Sequence, residues 1–507
     1  MKELLRPVAT AAGFALAVVL LMLALQMLSA RVTQAHLQHE AERRLYALQN
    51  REPLWSWSLR RPRDLVAGHP FGAATAARDG SQLLVTSHDG SAYDLGLPVM
   101  QPIDLVHWPL LRLRAESSAD GTLGLVVQAS VESPTCVAAS AAALHQGIAE
   151  LTIDLRNLAW RSADGGVCAP PGILRHMLRL RPQLPSGASL RLREVALVTD
   201  QPAPAIDTRA AIGLPSDPWL AGQRIDQLRQ SGYQSRAPLF QLPTMASAET
   251  WLALRDRLHG YWPAALLVPS GAELLANAHE PMPVWFGWLA CGTYVLLLIG
   301  CAVWPPPGKA RSWLEIVIAM AGPLWLMAGL QWGLHLSIPG VIAFGAALSY
   351  AVWIEWRQRP HAWHWLSRNW RDWAMPLALL PIALGLIAWL GHDLHPLDGR
   401  HALIYLGWAT LQQWLMLAVV LHRLESLHWP RPVIWLATAA LFALLHSPNG
   451  VLMQLCFLAE LWWAWCFMRS RALLPIALAH AGCALLVESG LAGGLLRSLE
   501  VSARFFL

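Results

Sequence analysis

Five polar side chains lie inside apolar stretches of the C-terminal third of the chain: Gln412, Gln413, His446, Glu460 and His480. Polar groups at membrane depth are costly and normally face a bundle interior, so they mark a candidate site. Two imidazoles and an acid on facing helices are the raw material of a zinc centre, which needs three protein ligands and one open position for water. The glutamines set a different condition. An amide accepts and donates hydrogen bonds but has no useful basicity near neutral pH, so it cannot act as a general base. Consecutive helix residues point about 100° apart, so at most one of the two glutamines aims straight at the histidines. Glu460 is the acid that can substitute as catalytic group; its structural alternative is a protonated glutamic acid locking helix packing.

The elements that must position these groups are membrane helices. Of 507 residues, 55% are hydrophobic and only 14% are charged, which indicates a polytopic membrane protein. Residues 7–29 form an apolar run preceded by Lys2 and Arg6, which reads as a retained N-terminal anchor. From Pro283 onward, eight spans are expected near 284–304, 313–334, 338–356, 373–391, 402–421, 433–447, 451–468 and 472–492. Lys309, Arg311, Arg357, Arg359, Arg368, Arg371, Arg423, Arg431, Arg469 and Arg471 fall on alternate loops between them. The positive-inside rule then predicts a cytoplasmic N-terminus and an extracytoplasmic segment 30–282, in a bacterial-type inner membrane. The arginines form no basic stripe, which excludes nucleic acid as a partner.

Segment 30–282 has soluble character. His36 to Gln49 reads as a helix. Alternation predicts strands at Gln82–Ser87, Leu110–Arg114, Thr122–Val131, Ala149–Leu155, His176–Arg181 and Ser189–Thr199, an antiparallel sandwich-like domain over 30–205. It loosely resembles the jelly-roll carbohydrate-binding modules of exported proteins, which implies a glycan as one partner; a structural or protein-docking sandwich is the alternative. Residues 206–282 read as a small α/β region, with strands at Ala237–Pro243 and Ala264–Pro269 and a helix at Ser247–Leu258. Cys136 and Cys168 are the two cysteines of this segment, and an extracytoplasmic location predicts a disulfide between them. Outside the five polar residues, His392, Asp393, His395, Asp398 and His401 form a metal-like cluster in a loop, where Pro396 and Gly399 favour a solvated turn. Glu488 is expected to be solvated.

The order of the motifs on the last four spans resembles the CPBP family (CAAX proteases and bacteriocin-processing enzymes), intramembrane metalloproteases. That family runs Glu-Glu-x-x-x-Arg, then Phe-x-x-x-His, then His-x-x-x-Asn or a small residue. Here the first reads Gln412-Gln413-Trp-Leu-Met-Leu417, the second Phe442-Ala-Leu-Leu-His446, and the third His480-Ala-Gly-Cys-Ala484. The resemblance covers about residues 400–490. It implies that Gln412 and Gln413 stand where the family's base lies, that His446 and His480 hold a zinc ion, and that a membrane protein or peptide is the substrate.

The expected fold is thus a polytopic α-helical membrane protein: an anchor at 1–29, a sandwich-like domain at 30–205, an α/β region at 206–282 and an eight-span CPBP-like domain at 283–507. The expected function is that of a CPBP-type intramembrane metalloprotease-like protein with impaired or altered catalysis, possible as a pseudoenzyme. The alternative is a non-catalytic scaffold in the lipid membrane whose outer domain binds a glycan or partner.

Overall fold

The computed structural model describes residues 2–162, 164–207, 210–233, 235–244, 246–278, 282–328, 337–357, 362–492 and 496–506. The chain forms two compact units. Met1–His36, Ser247–Glu249 and Glu280–Leu507 make a helical unit; Leu37–Ala246 and Thr250–His279 make a strand-rich one. The expected anchor and the helix expected after it are one element, α1 (Lys2–Asn50). No glycine or proline interrupts the chain between Gly13 and Pro53, so nothing stops the helix where the composition turns polar.

In the strand-rich unit, one sheet runs in the order Ala74–Asp79, Gln82–Ser87, Ser189–Val198, Leu110–Ser117 and Gly147–Asp154, with Trp55–Ser58 also on Ser189–Val198. The second runs Arg161–Ser162, Cys136–Leu144, Gly121–Gln128, Met177–Gln183 and Leu95–Leu97. Alternation decides the faces: Leu111 and Leu113 are buried in the core, whereas Arg112 and Arg114 point away. On Ser189–Val198 a bulge between Leu192 and Glu194 shifts the register, so Leu190 and Leu192 and then Val195 and Leu197 all reach the core. All six expected strands are present. Ala74–Asp79 and the alanine-rich Cys136–Leu144 were not expected from sequence, because alanine has little strand preference of its own. Cys136 and Cys168 are disulfide-bonded, with Cα atoms 6.2 Å apart. The α/β region is a parallel sheet of Ile212–Gly213, Leu239–Leu242 and Leu266–Pro269, connected by α2 (Pro218–Gln230) and α3 (Ala248–Tyr261). Asp217 caps α2 by accepting from the Leu220 N–H, and Pro218 takes the first helical position.

The helical unit continues with α4 (Val284–Val303), α5 (Lys309–Ala328), α6 (Ile338–Arg357), α7 (Trp370–Leu377), α8 (Leu379–Trp389), α9 (Gly399–Gln413), α10 (His422–Ser426), α11 (Arg431–Leu444), α12 (Gly450–Ser470) and α13 (Leu474–Leu491). Among the described residues seven helices, α1 included, are long and apolar enough to cross a membrane, against nine expected spans. The chain is a multi-pass membrane protein. Of the two remaining spans, α11 has only 14 residues. α5 carries Lys309, Arg311 and Glu315 near its start, and the end of its expected span, 329–334, lies outside the described residues.

Two devices satisfy polar groups inside this bundle, as an apolar solvent requires. The break between α7 and α8 leaves the Met375 and Pro376 carbonyls open to further donors, and the indole N–H groups of Trp462 and Trp463 on α12 donate to them at 2.9 and 3.4 Å. At one end of the bundle the buried Arg423 guanidinium pairs with Glu315 of α5, and lies 3.5 Å from Glu355 of α6. Glu315 also accepts from Arg311 at 2.8 Å. Charges this deep are tolerated because each has an opposite partner.

Two outcomes are expected. A Cβ built on Gly322 would lie 2.5 Å from the Ala347 Cβ and 2.9 Å from the Ala343 carbonyl, so α5 and α6 approach as closely as they do only because glycine stands there. Gly322→Ala should lower the melting temperature by an amount corresponding to about 1–3 kcal/mol; an unchanged melt would show that the two helices part without cost. In the strand-rich unit, burial together with Arg44 and Arg255, against the opposing Glu40, holds the His259 imidazole down at about 3. The unfolded chain takes up this proton near pH ~6.5 and the folded chain does not, so stability falls as pH drops from about 6.5 toward 3, by up to ~1.4 kcal/mol per pH unit. Melts of the full chain at pH 7 and 4.5 should show a smaller loss in His259→Gln than in the parent.

Candidate functional site

The five polar residues lie on α9 (Gln412, Gln413), the turn after α11 (His446), α12 (Glu460) and α13 (His480). α9 ends at Gln413, and the chain continues as a π-helix over Trp414–Leu421 before α10 resumes the α form. The sequence carries no signal for that widened stretch; such π segments recur at functional sites. Leu415 to Leu421 are all buried, so the helix is enclosed on every side immediately after the glutamine pair. Leu417, at the place of the arginine in the resembled motif, is part of that packed core.

The two glutamines part company. Gln413 is fully buried, and its Nε2 donates to the Glu460 carboxyl at 2.8 Å and to the His480 Nδ1 at 3.2 Å. One amide thus spans α9, α12 and α13. Gln412 lies instead on the wall of a cavity of about 590 Å³, together with His446, His480, Tyr405, Trp463 and Ala484. Glu460 is fully buried behind Gln413 and does not line the cavity, so it has no direct path to a substrate there.

The hydrogen bonds set the tautomers. With the Gln413 amide oriented so that both its hydrogens are used, His480 Nδ1 accepts, and its proton sits on Nε2. The opposite amide orientation would face the glutamine oxygen toward two groups that would each have to carry a proton. For His446 the partner is the Phe442 carbonyl, 3.0 Å from Nδ1. A carbonyl only accepts, so Nδ1 carries the hydrogen and Nε2 keeps its lone pair. Phe442, one helical turn before His446, packs edge-on to both imidazoles, with ring centroids 4.8 Å from His446 and 5.4 Å from His480. The Trp463 ring closes the other side of His480 at 5.3 Å. The site therefore offers one imidazole acceptor and one imidazole donor.

The zinc implied by the sequence resemblance does not fit these residues well. Among the described residues no group of three His, Cys, Asp or Glu side chains converges where a metal ion would be held. Two imidazoles and a neutral amide fall short of the three strong ligands of a catalytic zinc. The Gln412 side-chain oxygen is buried without a hydrogen-bond partner, as are one oxygen each of Gln413 and Glu460.

The loop cluster resolves into separate roles. His395 Nδ1 is 3.1 Å from the Ser489 carbonyl, a loop-to-helix tie. His401, from the loop cluster, pairs with Glu488 at 3.0 Å, and both line the cavity. Glu488 is thus part of the cavity mouth and not simply solvated. Tyr405 and the C-terminal residues 497–501 also line the cavity, and neither was singled out by the sequence motifs.

Residues 402–486 match the type II CAAX prenyl endopeptidase Rce1-like family, a match to the segment that carries the three motifs and consistent with a CPBP family member. A comparison with curated proteins found no match. Among solved structures, a variant of a family 29 carbohydrate-binding module is similar at 9% identity, over 30% of this chain and 96% of that one, with a TM-score of 0.20. The family 11 carbohydrate-binding module of a cellulosomal cellulase of Clostridium thermocellum is similar at 10% identity, over 26% and 85%, with a TM-score of 0.20. At these scores the likeness assigns no ligand to the chain.

If the Gln413 amide ties the three helices, its partners are energetically coupled. Gln413→Leu and Glu460→Leu should each destabilise the helical unit, while the double variant loses less than the sum. A coupling of about 1–2 kcal/mol in a double-mutant melting cycle is expected; strict additivity would mean the bond contributes nothing.

Proposed function

We propose that this chain is a CPBP-type protease-like membrane protein that receives a peptide segment in its membrane cavity and is impaired in hydrolysis. The observation that carries this is the position of Gln412. It is the member of the pair that lines the cavity with both imidazoles, and its amide cannot take a proton from water. What remains suits binding: an apolar wall, an imidazole donor at His480 and an imidazole acceptor at His446. His446 Nε2 is the only one of these three groups able to act as a base, and nothing supplied by the glutamines assists it.

Restoring the carboxylate at the cavity wall tests this. In liposomes containing a quenched fluorescent peptide with an apolar C-terminal segment, Gln412→Glu should cleave at least about tenfold faster than the parent, the lower end of general-base contributions being higher still. The gain should vanish on adding His446→Ala. Cleavage by the parent that already depends on His446 and does not rise in Gln412→Glu would overturn the assignment. The purified parent should also carry less than one zinc ion per chain. Stoichiometric zinc that is lost in both His446→Ala and His480→Ala would instead establish a metal centre.

A further inference from the structure

The turn Ser447–Asn449 joins α11 to α12 and begins one residue after His446. Asn449 is fully buried and has two tasks. Its Oδ1 caps α12 by accepting from the Leu452 N–H at 3.1 Å. Its Nδ2 donates to two main-chain carbonyls of the C-terminal segment, those of Ser498 at 2.7 Å and Glu500 at 3.2 Å. The Ser502 N–H in turn donates to the Ser447 carbonyl at 2.9 Å. All three bonds engage main-chain groups of the segment, which bends at Leu499 between the two carbonyls and enters a short 3-10 turn at Ser502. Residues 497–501 line the same cavity as His446, His480 and Gln412. Beyond them Phe505 and Phe506 are buried, and the Phe506 ring stacks on His36 at 3.9 Å.

We propose that the turn Ser447–Asn449 is a docking ledge for the main chain of a peptide segment, and that the chain's own residues 498–502 occupy it as a tethered competitor. The proposal rests on the assignment of the cavity as a peptide site. Recognition through main-chain groups tolerates many sequences, because every residue carries the same carbonyl and, proline aside, the same N–H. A tethered segment competes at an effective concentration in the millimolar range, so an incoming peptide must displace it and not merely find an open cavity. The ledge adjoins His446 in the chain, so the peptide that wins this competition lies beside the imidazole acceptor.

Two native thiols report on the segment. Cys456 and Cys483 line the cavity, whereas Cys466 is buried elsewhere and serves as an internal reference. The full chain in liposomes is treated with N-ethylmaleimide, and modification of each cysteine is followed by mass spectrometry. Asn449→Asp keeps an oxygen for the α12 cap and removes the amide donor. It should raise the rate at Cys456 and Cys483 about tenfold, equivalent to ~1.4 kcal/mol of lost hold, with Cys466 unchanged. A chain ending at residue 495 should show the same rise, and a synthetic peptide of residues 496–506 at millimolar concentration should restore protection. The same peptide N-methylated at Ser502 should protect less. Unchanged rates in Asn449→Asp, or equal protection by the N-methylated peptide, would overturn the ledge; if the shortened chain does not fold, Asn449→Asp decides alone. Thiol reactivity needs no proteolysis, so a Gln412→Glu variant that stays inactive overturns the hydrolysis assignment and leaves this result standing on its own.

Discussion

The side-chain amide of Gln413 is the interaction on which the polar core of the helical unit depends. It is fully buried, and its one nitrogen serves Glu460 on α12 and His480 on α13. A polar group left alone in such surroundings costs several kcal/mol, so three helices meet where one amide can satisfy two acceptors. A carboxylate at this place would set two acids within hydrogen-bonding distance, and two like charges cannot both be held there. Glutamine at 413 and glutamate at 460 therefore belong together. The same exchange that removes a base from the motif permits a buried carboxyl one helix away.

The pair Gln412-Gln413 divides its work because successive helix residues diverge. One holds the bundle, and the other faces the cavity. The π segment that follows carries the chain into a stretch buried on all sides, where Leu417 stands at the place of the arginine in the resembled motif. Further along, Arg423 is met by two glutamates from other helices. Hydrogen bonds of the Gln413 amide hold the middle of the bundle, and ion pairs hold its end.

Much of this was legible in the sequence, for identifiable reasons. Strands such as Leu110–Ser117 and Ser189–Val198 alternate leucine with arginine, and a period of two leaves little ambiguity. Cys136–Leu144 was illegible because alanine pairs in a sheet only when its neighbours impose it. Phe442 and His446, four residues apart, were visible as a motif, and the turn that ends α11 keeps them in contact. The role of Glu460 was not. Its distance from the cavity and its bond to Gln413 depend on how three helices pack, and no local pattern encodes that. The C-terminal segment was missed, and Glu488 was expected only as a solvated residue, for the same reason: no motif marks either as part of the cavity lining.

Under the proposed function, binding and cleavage part company because the two draw on different groups. Binding needs apolar walls and a few fixed polar groups, and Phe442, Trp463 and His480 line the cavity. Hydrolysis needs a group that takes a proton from water at the moment of attack, and Gln412 offers none. The turn after α11 brings the two requirements into one place. It follows directly on His446, caps α12 through Asn449, and holds main-chain carbonyls of residues that line the cavity. A carboxylate restored at the cavity wall would therefore face a site already bordered by peptide backbone, and the first chain it met would be its own.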